Sequence, residues 1–329
     1  MNSYKTYLIT GGTGSFGKSY VKNFIKQKNK SNLIIYSRDE MKQWDMGIKY
    51  KKYKNIKFII GDVRDADRLT WASKGVDCIV HAAATKIVTT AEFNPSECIQ
   101  TNIDGANNVI KAARLNKIKK VVALSTDKAC NPVNLYGATK LVSDKLFVAA
   151  NISKKIDKTS YAVVRYGNVL GSRGSIIPFF LSLNNKQPFP ITDNKMTRFL
   201  ISLEEAVSLV DFAFKEMKGG EIYVKKIPSV KITDIALAID PKRKQKIIGI
   251  RPGEKLHEQM INEEDSHYTY EYKEHYKILT PLNDFHKDPE RIKNGKKVKS
   301  NFSYNSESNK DWMNLNLLRN LISNFKLDE

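Results

Sequence analysis

Tyr136 and Lys140 stand four residues apart, and Ser125-Thr126-Asp127-Lys128 closes the apolar run before them. Side chains at that spacing share one face of a helix. A phenol titrates near pH 10 and is a poor base at neutrality. A neighbouring ammonium and the positive ring of an oxidised nicotinamide both favour phenolate. Tyr136 then takes a proton from a hydroxyl while hydride leaves the carbon that bears it. A lone Tyr-x-x-x-Lys pair is common on helices. Its meaning here comes from the preceding Ser-Thr and from a glycine loop far upstream.

That loop, Gly11-Gly12-Thr13-Gly14-Ser15-Phe16-Gly17, follows the first apolar run and opens a helix. Gly11, Gly14 and Gly17 permit a tight turn and let backbone approach a pyrophosphate. The helix N-terminus then offers unpaired N–H groups to the phosphates, with Thr13, Ser15 and Phe16 in the same loop. The pattern alone is weak, but its place in a strand–turn–helix makes it specific. The second strand ends Tyr36-Ser37-Arg38-Asp39. An NAD site commonly carries an acid here for the ribose 2′-hydroxyl. Ser37 and Arg38 suit a 2′-phosphate better, through charge-assisted hydrogen bonds. NADP is the expected cofactor, with the adjacent Asp39 keeping NAD open. Asp62 and Val63 follow the third strand, where an adenine contact belongs; a turn-forming Asp is the plainer reading of Asp62. Ala82 and Ala83, after His81, are small where backbone passes close to the cofactor.

These residues need a scaffold. Lys5–Thr10, Asn32–Ser37, Ile56–Ile60, Asp77–His81, Lys120–Ser125 and Ser160–Arg165 are short apolar runs bounded by turn formers. Helical spacing fills the gaps, notably over Asn94–Leu115 and Leu135–Asn151, with Asn94-Pro95 as N-cap and first helical position. The alternation predicts an α/β fold, a Rossmann-like doubly wound parallel sheet, over residues 1–170. From Gly171 the regularity breaks. A smaller α/β substrate-binding lobe is expected over 171–329, partly interleaved with the first. A helix is expected at Leu203–Met217, stopped by Gly219-Gly220, and another at Trp312–Phe325. Met196, Phe179, Phe180 and Phe199 read as lobe core.

A chain of 329 residues buries a substantial core. Its net charge of +20 is spread over scattered lysines, densest at 49–54, 242–246 and 293–299. Such runs are usually a solvated face, so neither nucleic acid nor membrane is an expected partner. No apolar run is long enough to cross a bilayer, and the first residues lack a signal-peptide pattern. Cys78, Cys98 and Cys130 are too few and too widely spaced for a disulfide framework or a zinc site. A reducing cytoplasm and no metal are expected.

Together the glycine loop, Asp62, His81-Ala-Ala-Ala, Tyr136/Lys140 and Arg165-Tyr-Gly-Asn168 resemble the extended short-chain dehydrogenase/reductase superfamily, whose members oxidise, epimerise or dehydrate nucleotide sugars. Further motifs resemble one branch, the inverting UDP-N-acetylglucosamine 4,6-dehydratases that open pseudaminic acid biosynthesis. These are Ser125-Thr-Asp-Lys-Ala129, Asn134-Leu-Tyr-Gly-Ala-Thr-Lys140, Gly171-Ser-Arg-Gly-Ser175, Met196-Thr-Arg-Phe199 and Ile250-Arg-Pro-Gly-Glu-Lys-Leu-His-Glu258. The resemblance covers nearly the whole chain. Larger membrane-bound relatives, and some soluble ones, carry Met where Tyr136 stands.

The resemblance implies UDP-N-acetylglucosamine as substrate and a homo-oligomer, from dimer to hexamer. It implies Lys128 as the base at C5 and Asp127 as the acid at the C6 hydroxyl, with Thr126, Tyr136 and Lys140 completing the catalytic set. A ketone at C4 acidifies the C5 proton; a base removes it while an acid protonates the departing hydroxyl. Lys128 must then be partly neutral, through desolvation and nearby Lys140, and Asp127 must have a raised pKa. Lys86 and Asn168 are implied beside the sugar, and Arg173, Arg251 and Glu254 at the diphosphate and uridine. Where the family usually reads Leu-Lys-His-Val-Pro, this chain has Thr85-Lys86-Ile87-Val88-Thr89, so substrate preference or C5 stereochemistry is open there. Two other readings stand: a retaining dehydratase or UDP-sugar 4-epimerase, and a non-enzymatic NADP-sensing protein that binds nucleic acid.

Overall fold

Each of the six early apolar runs forms a parallel strand: β1 Thr6–Thr10, β2 Asn32–Ser37, β3 Ile56–Ile60, β4 Cys78–His81, β5 Lys120–Leu124 and β6 Ser160–Arg165. The computed structural model describes residues 4–28, 30–153, 158–172, 174–184 and 186–323. The runs are apolar throughout because helices cover both faces of the sheet; Leu8, Ile9, Val121, Val122 and Val163 are wholly buried. Burying each such side chain stabilises the fold by about 1.5–3 kcal/mol.

The helices between them are α1 Ser15–Lys26, α2 Glu40–Lys49, α3 Ala66–Ala72, α4 Val88–Phe93, α5 Pro95–Ile99, α6 Gly105–Leu115 and α7 Leu135–Ala149. Asp39, Asp65 and Asn134 cap α2, α3 and α7 by accepting backbone N–H groups. Asn94 precedes α5 but makes no side-chain cap; its amide donates instead to the Thr90 carbonyl. The expected helix over 94–115 contains a π segment, Gln100–Asp104, which links α5 to α6.

The main sheet runs β3-β2-β1-β4-β5-β6, then continues with parallel Ile222–Lys225 and antiparallel His275–Ile278, Thr269–Glu271 and Lys296–Lys297. Four of its ten strands thus come from beyond residue 170. The chain order reverses between β1 and β4, and the crevice at their C-terminal ends is where ligands bind in such sheets. A second apolar cluster, with Phe180, Phe189, Met196, Ile235 and Leu318, gathers the helices Ile176–Ser182, Ile232–Ile239 and Leu315–Ser323. Phe180 and Met196 join this lobe as expected. Phe199 belongs to the main core, packed against Tyr304, and Phe179 is half exposed. The helix Leu203–Glu216 carries a full capping box from Ser202 and Glu205. The final helix begins at Leu315, later than expected; Asn324 and Phe325 lie outside the described residues. No helix among the described residues is long and apolar enough to cross a membrane.

Candidate active site

The glycine loop fills the crevice edge because nothing larger fits. Gly11 has φ +66°, and a Cβ there would lie 2.8 Å from the Ala83 Cα. A Cβ at Gly17 would run into the Gly12 carbonyl, so α1 packs tightly on the turn. Thr10 locks the facing strand: its hydroxyl accepts from the Ala82 and Ala83 N–H groups and pairs with His81 Nδ1 at 2.8 Å. His81 is buried, and burial followed by nearby Lys140 brings its pKa down to about 3.

The corner after β2 is set by buried Ser37, whose hydroxyl accepts from Thr13 Oγ1 and Gln43 Nε2, both at 3.1 Å. Asp39 is occupied as the α2 cap and as partner of Lys42. Arg38 is left largely exposed, 3.7 Å from Asp62. Asp62 takes a fork from Arg64, whose Nη2 sits at 2.7 Å and Nε at 3.0 Å. Burial opposes its charge, but Arg64 and Arg38 outweigh this and hold the carboxyl below its ordinary range. Val63 is buried beside it.

At the end of β5, Asp127–Ala129 form one 3-10 turn against the start of α7. Gly137 makes the contact possible, since a Cβ there would collide with the Lys128 carbonyl. The turn holds Asp127 completely buried and Lys128 Nζ 3.1 Å from Asp127 Oδ1. Thr126 Oγ1 donates to the same Asp127 oxygen at 2.9 Å. Glu258 arrives from just before the strand Gln259–Ile261, its Oε1 2.9 Å from Lys128 Nζ. Both carboxylates are buried and Lys128 is 21% exposed, unlike a solvated surface ion pair.

Burial and charge act in different ways on the two members of the expected acid–base pair. Burial and then Glu258 raise the Asp127 pKa against Lys128 and Thr126, as an acid requires. Lys128 is not partly neutral. Burial lowers its pKa, but Asp127 and Glu258 outweigh burial and Arg198, and the ammonium is held above its ordinary range. The phenol of Tyr136 is pushed up to about 12 by burial; Lys128 and a hydrogen bond with Thr126 pull the other way. Lys128 therefore supplies the ammonium influence on Tyr136 that was expected of Lys140. Lys140 is itself buried and lowered by burial, against the pull of Asp144. Asp144 accepts from Ser125 at 2.8 Å and pairs with Arg165 at 3.2 Å, tying β5, β6 and α7 together.

Ser37, Arg38, Asp62, Val63, Asp127, Lys128, Tyr136 and Lys140 line one cleft of about 720 Å³, which also takes in Thr13, Ser15, Phe16, Ala82, Lys86, Asn168, Arg251 and Glu254. Lys86 Nζ donates to Ser172 Oγ at 3.4 Å, and burial, then Lys128, lowers its pKa. Asn168 Oδ1 is buried without a hydrogen-bond partner among the described residues. Arg251 and Glu254 pair with each other at the mouth. Arg173 lies outside the described residues. The altered loop is anchored by Asn102 of the π segment, whose amide exchanges two hydrogen bonds of 2.9 Å with the Thr85 backbone. Cys130 is buried as packing. Sequence reasoning missed Thr10, Arg64, Asn102, Asp144 and Glu258. Glu258 alone had a signal, as the last residue of the Arg251–Glu258 motif.

The polysaccharide biosynthesis protein family matches residues 7–280. A Campylobacter jejuni subsp. jejuni serotype O:2 protein named UDP-N-acetylglucosamine 4,6-dehydratase (inverting) is 54% identical over 319 residues, 95% of each chain. A Rickettsia bellii protein named UDP-glucose 4-epimerase is 42% identical, covering 97% of this chain and 96% of its own. The X-ray structure of Pen from Bacillus thuringiensis superposes with a TM-score of 0.88 at 37% identity, over 97% of each chain. The chain belongs to the polysaccharide biosynthesis protein family, as a relative of the inverting UDP-N-acetylglucosamine 4,6-dehydratases.

Proposed function

We propose that this protein is an inverting UDP-N-acetylglucosamine 4,6-dehydratase that works with NADP. Its product is UDP-2-acetamido-2,6-dideoxy-β-L-arabino-hex-4-ulose, the first intermediate of pseudaminic acid biosynthesis. The observation that carries the reading is the ion pair of buried Asp127 with partly buried Lys128 beside Tyr136.

The crevice fits a dinucleotide: the close approach at Gly11 and Gly17 leaves bare backbone at the N-terminus of α1. Gly14, Thr13, Ser15 and Phe16 complete that cradle. Ser37 and Arg38 would hold a 2′-phosphate, since Asp39 is already spent on α2. Asp62 and Val63 would border the adenine, and Ala82 and Ala83 the passing ribose. The chemistry a nicotinamide supplies there is removal of hydride from C4 and its return at C6.

Tyr136 takes the proton of the C4 hydroxyl, the Lys128 ammonium favours its phenolate, and Lys140 stands on the next turn of α7. Lys128 takes the C5 proton. Asp127, the carboxyl easiest to protonate in the cluster, gives its proton to the C6 hydroxyl. Lys86 and Asn168 hold the sugar, and Arg251, with Glu254, meets the diphosphate and uridine. A UDP-sugar 4-epimerase is the second reading. It requires Tyr136 but has no use for the Asp127–Lys128 pair.

Wild-type protein given UDP-N-acetylglucosamine yields a 6-methyl product. Lys128→Ala keeps its cofactor and yields none. Normal turnover by Lys128→Ala contradicts the C5-base assignment.

A further inference from the structure

Glu258 reaches Lys128, which lines the cleft, on a clamped backbone. Its N–H donates to Ser306 Oγ at 2.9 Å, and its carbonyl accepts from the Ser306 N–H at 2.8 Å. Thr197 Oγ1 braces Ser306 Oγ at 2.7 Å. The Glu258 side chain is 2% exposed. Its Oε1 holds Lys128 Nζ at 2.9 Å and lies 3.8 Å from Arg198 Nε. Arg198 spends its Nη1 on the Thr197 and Leu256 carbonyls. Glu258 Oε2 is buried with no hydrogen-bond partner among the described residues. A purely structural buried ion pair would satisfy both oxygens. Here one oxygen is devoted to Lys128 and the other is left open.

We propose that Glu258 is a positioning residue: it pins Lys128 Nζ beside Asp127 and sets the pH range over which that pair holds the single proton it shares. This rests on the reading of Lys128 as the C5 base. The charged and titratable groups facing Lys128 are Asp127, Glu258, Arg198, Lys86 and Tyr136, with Lys255 behind Glu258. Of these, the two carboxylates favour the ammonium.

The proton balance closes. One proton moves from Lys128 Nζ to Asp127 Oδ1, 3.1 Å away, and makes an amine and a carboxylic acid together. The C5–H bond then breaks, its proton goes to Nζ, and its electron pair forms the C5–C6 double bond. The C6–O bond breaks, and the Asp127 proton leaves with that oxygen as water. The starting ammonium and carboxylate are restored. The fixed charge of Glu258 presses Asp127 towards its protonated form and keeps Nζ in place throughout.

The test is the pH profile of kcat for wild type, Glu258→Gln and Glu258→Asp, with Lys128→Ala alongside. The pair works with one shared proton, so turnover falls at low pH as Asp127 is protonated while Lys128 keeps its own proton, and at high pH as the shared proton is lost. Losing a carboxylate partner moves that acid limb to lower pH by about one unit or more in Glu258→Gln. With pinning lost, plateau kcat falls about tenfold while KM stays within about threefold. Glu258→Asp keeps the charge beside Arg198 and retracts it from Lys128, so its limb moves the same way by a smaller step. Should Glu258→Gln not fold, Glu258→Asp decides. Limbs that stay at the wild-type pH in the folded variants overturn the assignment, whatever their rates. Lys128→Ala with normal turnover overturns the C5-base reading instead; an inactive Lys128→Ala beside unmoved limbs overturns only the role of Glu258.

Discussion

Asp127 and Lys128 are neighbours in sequence, yet their surroundings drive them to different tasks. Asp127 is wholly buried and faces a second carboxylate, so its proton is held to higher pH than usual. Lys128 lies between both carboxylates and rests as the cation. Asp127→Asn removes the acid while leaving Lys128 paired with Glu258. That variant is expected to leave the C6 hydroxyl on the sugar, and in deuterated water to exchange C5 only at alkaline pH, where Lys128 loses its proton to solvent instead of to Asp127, as read by proton NMR. A 6-methyl product from Asp127→Asn removes Asp127 from the acid role. Tyr136→Phe acts one step earlier. It is expected to lose about 10²-fold or more in kcat with cofactor still bound, checked by steady-state rates and the nucleotide released on denaturation.

At the scale of elements, the chemistry depends on how closely the 3-10 turn of Asp127–Ala129 approaches α7. Gly137 sits between the Lys128 carbonyl and Pro132, whose Cβ would lie 3.1 Å from an added methyl. Gly137→Ala is expected to cost about 1–3 kcal/mol by overpacking and to lower kcat more than it raises KM. A urea titration and steady-state kinetics check both; unchanged stability and rate contradict the close contact. The sequence made Tyr136, Lys140, Asp127 and the glycine loop legible because each sits in a local pattern with a period or a motif. The six early strands were legible for the same reason, since a sheet covered on both faces needs continuous apolar runs. Asn102 was hidden because a π segment leaves no mark in the 3.6-residue pattern around it. The charge state of Lys128 was misjudged because Glu258 lies 130 residues away in the chain and meets it only through the fold.

Across the whole molecule, lobe and sheet share strands, so the site and the core respond together to pH. The Thr10 hydroxyl accepts two backbone N–H groups and gives its own proton to His81 Nδ1. Burial, then Lys140, keeps His81 neutral, with a folded pKa of about 3 against an ordinary 6.5. Below pH 6.5 the unfolded chain takes up a proton that the folded chain refuses. Stability is therefore lost as pH falls from 6.5 towards 3, by about 1.4 kcal/mol per pH unit from this group. Denaturant midpoints at pH 7.5 and 5.5 are expected to show the fall, and His81→Asn to flatten it. The net charge of +20 belongs in this account to a solvated surface. The sharpest test of the account is proton NMR of the purified protein with UDP-N-acetylglucosamine in deuterated water, with no cofactor added. A new 6-methyl signal, deuterium at C5 and the couplings of an L-arabino ring are the predicted result. Recovery of starting sugar, or of its C4 epimer with the C6 hydroxyl in place, even after NADP is supplied, contradicts it.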